Sequence, residues 1–278
     1  MQFTKHLLGI ALITLLATAC NNETKPADQA ATPAAAPALK EETVTYQGDG
    51  ATMNGYIVYD DSAKGKRPAV LVVPEWWGLT DYTKMRAREL AKLGYVALAV
   101  DIFGDGKIAD NPDSAKAFAG PFYMHPEKAK ARIDAAIAKV RSYPQVDSAN
   151  IGAIGYCFGG GMLLNTVRLG DDLKAVVSFH GSLIGTPARK DLLKTKILVC
   201  HGNDDKFVTQ QDVAAFKKQM DSIGADYKFV AYDGATHAFT NPGATELGKK
   251  FNMPIAYNAA ADTASWKEMQ GFFADKLK

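Results

Sequence analysis

The chain has 278 residues, of which 47% are hydrophobic and 22% charged, and its formal net charge at neutral pH is +2. Its basic residues are scattered rather than clustered, so the charge pattern excludes a dedicated nucleic-acid-binding protein. The composition is that of a globular protein. The length fits one large domain, since α/β enzymes often run about 200–250 residues as a single unit.

The first 19 residues have the features of a signal peptide. Lys5 supplies a positive charge, and the apolar run from Leu7 to Leu16 is shorter than the roughly 20 residues that a membrane-spanning helix needs. The run ends at Ala17-Thr18-Ala19-Cys20, which fits an ordinary secretory cleavage site and also resembles a bacterial lipoprotein signal. In the second case Cys20 becomes the lipidated first residue. Both interpretations predict cleavage after residue 19 and export, and the lipoprotein is favoured.

Residues 20–40 are predicted to be the lipidated cysteine and a disordered linker. Residues 21–40 show no apolar periodicity, contain three prolines and have Leu39 as their one large apolar side chain, so they cannot bury enough surface to offset the entropy of ordering. Such a linker would hold a catalytic domain away from a membrane. The predicted location is the periplasmic side of a bacterial membrane, with the outer membrane favoured by Asn21 after the cysteine. The alternative is a soluble periplasmic or secreted protein with a disordered tail.

From residue 41 to residue 278, apolar strands rich in β-branched residues alternate with amphipathic helices. The predicted strands are 44–46, 53–59, 69–73, 96–100, 151–155, 175–179, 197–200 and 227–232. The predicted helices are 80–93, 127–141, 210–223 and 261–277, with another that opens after residue 157. The first two strands flank Gly48-Asp49-Gly50 and predict a hairpin. The order predicts a single domain with the α/β-hydrolase fold, a mostly parallel eight-stranded sheet flanked by helices.

The sequence Gly155-Tyr156-Cys157-Phe158-Gly159 lies between a predicted strand and a predicted helix. It matches the nucleophile-elbow pattern G-x-S-x-G, with cysteine in the serine position. Glycines permit the tight turn, which has no room for neighbouring Cβ atoms, and a helix N-terminus favours the thiolate form of the sulfur. Cys157 is therefore the predicted nucleophile. The alternative is a buried structural cysteine beside a glycine-rich packing site.

The predicted acid and base follow the nucleophile in chain order. Asp204 and Asp205 lie in a loop after the seventh predicted strand, and the spacing G-x-x-D-x-x-V favours Asp205 as the acid. Asp204 is then a solvated or turn-capping residue. His237 lies in a loop beyond the last predicted strand, where the base is required. The predicted triad is Cys157–His237–Asp205.

The other histidines fit the role of the base less well. His6 would be removed with the signal peptide, and His125, which precedes Pro126 in a loop, is predicted to lie on the surface. His180 and His201 lie at strand ends and could line the site, but neither follows the acid. Because the sequence has neither a metal-ligand spacing nor a phosphate-binding glycine loop, no metal and no cofactor are expected.

Cys157 and Cys200 raise the question of a disulfide, since two cysteines in an exported protein often pair. The expected sheet separates their strands by about two strand spacings, roughly 9–10 Å. A disulfide needs Cα atoms within about 7 Å. Cys157 is therefore expected to remain a free thiol.

Several motifs together resemble those of the dienelactone hydrolase family, over most of residues 41–278. They are Pro74-Glu75-Trp76-Trp77-Gly78, Gly155-Tyr156-Cys157-Phe158-Gly159-Gly160, Asp205-Lys206-Phe207-Val208, His237-Ala238-Phe239 and a stretch around Tyr257 and Trp266 that is similar to the family's last helix. The resemblance implies that Glu75 contacts the resting cysteine and shifts when substrate binds, which allows the thiolate to form. The alternative for Glu75 is a surface ion pair with a lysine or arginine. The resemblance also implies an oxyanion hole formed by the backbone N–H groups of Trp76 and Phe158.

The predicted function is that of an exported cysteine hydrolase that cleaves carboxylic esters or lactones through a thioester intermediate. Its predicted partners are a small-molecule ester or lactone and, through Cys20, a membrane. No nucleic acid is expected to bind, and the chain is expected to act as a monomer. The alternatives are a non-catalytic ligand-binding lipoprotein on the same scaffold and an acyltransferase that uses the same triad.

The resemblance to the family does not identify the substrate of this protein. Founding family members hold a substrate carboxylate with arginines, one of them four residues after the catalytic histidine, and that position is Asn241 here. We therefore do not expect activity on dienelactone. An aromatic pocket, or alternatively ordinary core packing, is predicted from Trp76, Trp77, Phe122, Tyr123 and Phe239.

Overall fold

Eight strands form one sheet in the computed structural model, which describes residues 36–278. The strands are β1 (Leu39–Gly48), β2 (Ala51–Asp60), β3 (Arg67–Val73), β4 (Val96–Ala99), β5 (Val146–Tyr156), β6 (Ala175–Phe179), β7 (Lys196–Gly202) and β8 (Tyr227–Tyr232). The helices are α1 (Asp81–Lys92), α2 (Pro112–Met124), α3 (Pro126–Arg141), α4 (Phe158–Arg168), α5 (Gln210–Ile223), α6 (Ala244–Phe251) and α7 (Ala259–Lys276).

The sheet opens antiparallel and continues parallel. Its strand order is β1-β2-β4-β3-β5-β6-β7-β8, and only the pairings of β2 with β1 and with β4 are antiparallel among the described residues. Asp49 and Gly50, both with positive φ, form the two-residue turn of the predicted hairpin. The carboxyl ends of the six parallel strands meet at one edge, where open α/β sheets bind their ligands. The predicted α/β domain with a mostly parallel eight-stranded sheet is confirmed.

Both faces of the central strands are buried under helices. In β3, Leu71 and Val73 pack on one face of the sheet, whereas Val70 and Val72 pack on the other. The first face is covered by α2, α3, α4 and α5, and the second by α1 and α7. A strand that is covered on both faces needs apolar side chains at every position. This explains why the sequence of β3 reads as a continuous apolar run rather than an alternating one.

The first strand begins at Leu39, two residues before the expected start of the domain, and pairs with β2 from Leu39 opposite Asp60 to Gly48 opposite Ala51. The predicted signal peptide, Cys20 and most of the predicted linker lie outside the described residues. Among residues 36–278, no helix is both long enough and apolar enough to cross a membrane.

Two helices near the site differ from the sequence-based expectation. The first is α2, which none of the predicted helices covers and which starts with a capping box at Asn111. Its helical pattern is obscured by Gly120 and Pro121, which both disfavour a helix interior. The eight residues of α6 include Gly248, and so short a helix carries too little periodicity to be identified from sequence.

Candidate active site

Cys157 lies at a strained turn between β5 and α4. Its backbone has φ +50° and ψ −115°, a conformation that L-residues rarely adopt. Strain of this kind costs on the order of 1–3 kcal/mol and persists only where the surrounding structure fixes it. The residue stands at the carboxyl edge of the sheet and is the N-cap of α4. This is the strand–turn–helix context that the elbow pattern predicts.

Two glycines leave the space that this turn needs. A Cβ added at Gly159 would lie 2.4 Å from the carbonyl oxygen of Val73, and one added at Gly155 would lie 2.5 Å from the backbone of Gly159. Neither glycine has a positive φ, so both are required by close packing rather than by backbone conformation. The first turn of α4 can therefore lie backbone to backbone against the end of β3.

His237 connects Cys157 to Asp205. Its Nε2 lies 3.0 Å from Cys157 Sγ, and its Nδ1 lies 2.8 Å from Asp205 Oδ2. The other carboxylate oxygen of Asp205 accepts hydrogen bonds from the backbone N–H groups of Phe207 and Val208, at 2.7 and 3.2 Å. The carboxylate is thus held in place and faces Nδ1, which leaves Nε2 to exchange a proton with the sulfur. The structure brings the three predicted side chains together.

The electrostatics of the site favour a protonated imidazole at His237. Burial alone opposes the charged form, but the charge of Cys157 and the hydrogen bond that His237 donates to Asp205 outweigh it, and the pKa of His237 is raised well above its ordinary value of 6.5. A protonated imidazole next to a sulfur stabilises the thiolate. The following residue, Ala238, has φ +59°, so a residue with positive φ stands next to the base, as one stands at the nucleophile itself.

Glu75 follows β3 and is only 4% exposed. Its Oε2 accepts a hydrogen bond of 2.7 Å from Asn241 Nδ2. Burial raises the pKa of Glu75 to about 7, and the hydrogen bond from Asn241 opposes this shift. Among the described residues, the side chains of Glu75 and Cys157 bond to Asn241 and His237 rather than to each other. No hydrogen bond joins Glu75 to Cys157 in this arrangement, although both line the same cavity, and Glu75 does not form the alternative surface ion pair.

Two backbone N–H groups are available beside the sulfur. Phe158 is the first residue of α4, and Trp76 lies in the turn that follows Glu75. Within residues 36–278, neither N–H donates to a backbone or side-chain acceptor. N–H groups at the first turn of a helix are suited to stabilise an anion. Both residues line the same cavity as Cys157, as the predicted oxyanion hole requires.

A cavity of about 280 Å³ opens onto Cys157, just below the range of about 300–1,000 Å³ that ligand pockets span. Aromatic and apolar side chains form much of its lining: Trp76, Trp77, Tyr123, Phe207, Met253 and Ile255. Of the predicted aromatic pocket, three members line the cavity, whereas Phe122 and Phe239 are buried core residues. The arrangement can hold a small, largely apolar molecule against the sulfur.

Sequence reasoning missed the role of His180. Its Nδ1 accepts a hydrogen bond of 3.1 Å from the backbone N–H of Cys157, which also donates to the carbonyl oxygen of Phe179 at 3.0 Å. Its Nε2 lies 2.7 Å from Thr240 Oγ1, which lies 2.7 Å from the Tyr82 hydroxyl. Burial lowers the pKa of His180 well below its ordinary value, so this imidazole is neutral. The chain of hydrogen bonds ties the loop that carries His237 to the backbone of the elbow. In the sequence, this role is indicated only by the position of His180 directly after β6, the strand that pairs with the elbow strand β5.

The remaining candidates lie outside the hydrogen-bonded triad. His125 is exposed, His201 is buried beside the site without lining its cavity, and Asp204 is exposed. Cys157 and Cys200 are both free thiols, with β6 between their strands, as expected from the strand spacing. Across residues 36–278, His, Cys, Asp and Glu side chains form no group of three or more that could hold a metal ion.

The fold and the site together define a class of protein. A strained elbow at the carboxyl edge of such a sheet, with an acid and a base supplied by later loops, distinguishes α/β-hydrolases from other α/β proteins. More particularly, the chain belongs to the dienelactone hydrolase family, whose model matches residues 53–277. It is a hydrolase that acts on esters or lactones.

Proteins similar to this one cover most of the described domain. Protein usf of Aquifex pyrophilus is 30% identical over 241 residues, which cover 85% of this chain and 99% of its own. A protein of Aquifex aeolicus, provisionally named a carboxymethylenebutenolidase, is 27% identical over 85% of this chain and 99% of its own. The crystal structure of a dienelactone hydrolase-like promiscuous phosphotriesterase from metagenomic libraries has a TM-score of 0.81 at 32% identity, covering 86% of this chain and 99% of that chain.

Proposed function

We propose that the protein hydrolyses carboxylic esters or lactones with Cys157 as the nucleophile, His237 as the base and Asp205 as the acid that orients the base. The observation that carries the proposal is the continuous line of hydrogen bonds from Cys157 Sγ through His237 to Asp205, at 3.0 and 2.8 Å. Each group has the partner that its role requires.

In the first half of the reaction, the Cys157 thiolate attacks the carbonyl carbon. The oxygen of the tetrahedral intermediate accepts hydrogen bonds from the backbone N–H groups of Trp76 and Phe158. When the C–O bond to the alcohol or enol breaks, His237 gives its proton to the departing oxygen, and the acyl group remains on the sulfur as a thioester.

In the second half, His237 takes a proton from water, which attacks the thioester carbonyl. The intermediate collapses with loss of the Cys157 thiolate and release of the carboxylic acid. A thiolate is a good leaving group as well as a good nucleophile. Activated esters such as enol-lactones therefore suit this site better than amides, and peptidase activity is not expected.

Glu75 is proposed to modulate the nucleophile. A carboxyl that turned from Asn241 to the sulfur would compete with His237 for Cys157, whereas a carboxyl bound to Asn241 leaves the pair of sulfur and imidazole intact. The hydrogen bond of 2.7 Å between Glu75 and Asn241 keeps the carboxyl away from the sulfur. It therefore supports the proposal that Cys157 is hydrogen-bonded to His237 before substrate binds.

The test is hydrolysis of a short p-nitrophenyl ester by residues 36–278, beside the variant Cys157→Ala and an iodoacetamide-treated sample. Both are expected to be inactive, and an acyl-enzyme of the mass of the thioester should accumulate on wild-type protein with a slow substrate. Cys200→Ala is the matched control, since this second thiol is buried away from the cavity, and it should keep its activity. Turnover that survives the loss of Cys157 would overturn the assignment.

Two further outcomes address the alternatives. Folded wild-type protein that neither turns over nor acylates with any activated ester or lactone would favour a non-catalytic ligand-binding protein. An ester or amide product formed only when an alcohol or amine is added would favour an acyltransferase.

Export and lipid anchoring through Cys20 belong to the same proposal. They are supported by the apolar run that ends before Ala19-Cys20 and by the proline-containing stretch behind it. The full-length chain expressed in a two-membraned bacterium should enter the membrane fraction and leave it with detergent but not with salt. Cys20→Ala should abolish this association. A wild-type chain that stays in the soluble fraction would contradict the anchor.

A second substrate class deserves a test because the structural relative described above is named a promiscuous phosphotriesterase. Thiolate attack on a neutral phosphotriester would expel an aryloxide and leave the phosphoryl group on Cys157, from which water would release it. Paraoxon is the probe. Release of p-nitrophenol that disappears in Cys157→Ala would place this activity in the same site.

A further inference from the structure

We infer that the site selects uncharged esters or lactones and disfavours substrates that carry a carboxylate near the reacting carbonyl. This deepens the proposed function and rests on it. The inference starts from the charges in the wall of the cavity, which differ from those that an anionic substrate requires.

The ionisable side chains that line the cavity in the described part of the chain are acids or belong to the reacting pair. They are Glu75, Tyr123, Cys157 and His237, and neither lysine nor arginine contributes to this lining. Cys157 and His237 share one proton, so the pair carries no net charge. Glu75 adds negative charge whenever it ionises, so the fixed charge of the wall is zero or negative.

The polar groups that surround Glu75 are already committed within the protein. Asn241 donates to Glu75 and accepts a hydrogen bond from the backbone N–H of Gly243 at 2.9 Å. The buried cation of this region, Arg86, donates to the carbonyl oxygen of Thr240 and pairs with Glu89 and Asp262. It does not line the cavity. A carboxylate in the cavity would therefore find no free cation among these residues.

Elementary electrostatics gives the direction of the effect. A carboxylate that enters an apolar cavity loses its hydration, and this loss is costly unless a cation or several hydrogen-bond donors replace the water. A neutral ester has no such cost, and the aromatic and apolar wall gains from covering it. Repulsion from Glu75 adds to the penalty as Glu75 ionises. The preference for neutral substrates should therefore grow as the pH rises through about 7, where Glu75 titrates.

The test compares two substrates that differ in charge at one end. Mono-p-nitrophenyl adipate carries a free carboxylate, whereas its methyl ester is neutral and of similar length, and both release p-nitrophenolate. With wild-type protein at pH 7.5, and after subtraction of the uncatalysed rate, kcat/KM for the methyl ester should exceed that for the free acid by about tenfold or more, which corresponds to about 1.4 kcal/mol. The ratio should be smaller at pH 6.

A variant that adds a positive charge should weaken the expected preference for the neutral substrate. Met253→Arg puts a cation into the wall of the cavity and should narrow the ratio between the two substrates at least about fivefold. Met253→Leu changes the same side chain without adding charge and should keep the ratio high. An unchanged ratio in folded Met253→Arg would overturn the electrostatic account.

The wild-type measurement separates this inference from the proposed function. Equal values of kcat/KM for the two substrates, or a preference for the free acid, would overturn the inference while ester hydrolysis stands. Turnover of neither substrate by folded protein would overturn the proposed function and the inference with it.

Discussion

Asp204 and Asp205 are neighbours in the sequence and occupy opposite environments. The Asp205 side chain has no exposed surface and bonds to His237, whereas Asp204 is exposed. The turn after β7 provides the reason, because two successive backbone N–H groups, those of Phe207 and Val208, point at one carboxylate oxygen. Motif spacing predicts the correct member of this pair, but the hydrogen bonds that distinguish it become visible only in the structure.

Substitution of each aspartate by asparagine gives a matched comparison. Asp205→Asn should lower kcat/KM for a p-nitrophenyl ester by about 10²–10⁴-fold, because the base loses the charge that stabilises its protonated form and its correct orientation. Asp204→Asn should stay within about twofold of wild type. Steady-state kinetics together with thermal melts distinguishes catalytic loss from unfolding, and equal losses in the two variants would contradict the assignment.

Glu75 makes stability depend on pH in a direction opposite to that of most carboxylates. Its pKa is about 7 in the folded protein, above the ordinary value of 4.5. Between these values the unfolded state has released the proton that the folded state keeps, so stability falls as the pH rises through this window. Above pH 7 the full cost is present, on the order of 3 kcal/mol.

Glu75→Gln should remove this cost while it keeps an oxygen that can accept from Asn241. At pH 8 the variant is expected to be more stable than wild type by up to about 3 kcal/mol, and at pH 4 the two should unfold at the same denaturant concentration. Urea titrations at several pH values measure the difference. A difference that does not change with pH would contradict the raised pKa of Glu75.

At the scale of secondary-structure elements, the elbow depends on the close approach of α4 to β3. Gly159 permits this approach, because a Cβ there would collide with the carbonyl oxygens of Val73 and Pro74. The glycine of α2, Gly120, has no heavy atom within 4 Å of the position of an added Cβ. Close packing therefore requires a glycine at position 159 of α4, whereas position 120 of α2 has room for a side chain.

Gly159→Ala should lose at least about 2 kcal/mol of stability because backbone must move to admit the methyl group. Gly120→Ala, the control, should gain about 0.5–1 kcal/mol from the better helix propensity of alanine. Chemical denaturation measures both. A stable, fully active Gly159→Ala protein would show that the packing at the elbow is looser than described.

The elements that sequence predicts and those that it misses differ in their local signals. The central strands carry runs of apolar residues, and α1, α3, α5 and α7 carry a helical period, so these elements were predictable. The start of β1 at Leu39 was harder to predict, because only the pairing of these first residues with β2 distinguishes them from the linker. For the site, motif and chain order predict the triad. The contact of His180 with Thr240 joins residues 60 positions apart, and a local pattern cannot reveal such a tertiary contact.

At the scale of the whole molecule, Arg86 joins parts of the chain that are distant in sequence. This side chain in α1 is buried, donates to the carbonyl oxygen of Thr240 in the loop of the base, and pairs with Asp262 in α7. The C-terminal helix is thereby linked to the site without contributing a side chain to the cavity. A buried charge that loses its partner destabilises the fold.

Asp262→Ala should therefore cost about 2 kcal/mol or more, since Arg86 would keep its charge with fewer partners. The control is Asp275→Ala, whose side chain is 65% exposed and pairs with lysines at the surface, and its effect should stay within about 0.5 kcal/mol. Thermal and urea unfolding compare the two. Similar small effects in both variants would indicate that Arg86 is adequately held by its other partners.

The direction of the first two strands determines how the domain can be held. Because β2 runs antiparallel to β4, the start of β1 at Leu39 and the end of β2 at Asp60 lie at the amino ends of the parallel strands, whereas Cys157 lies at their carboxyl ends. The polypeptide therefore enters the domain at the pole opposite the cavity. If Cys20 is the proposed anchor, the chain that leads to it leaves the domain on the side opposite the cavity. A substrate can then enter the cavity from solution without passing the point of attachment.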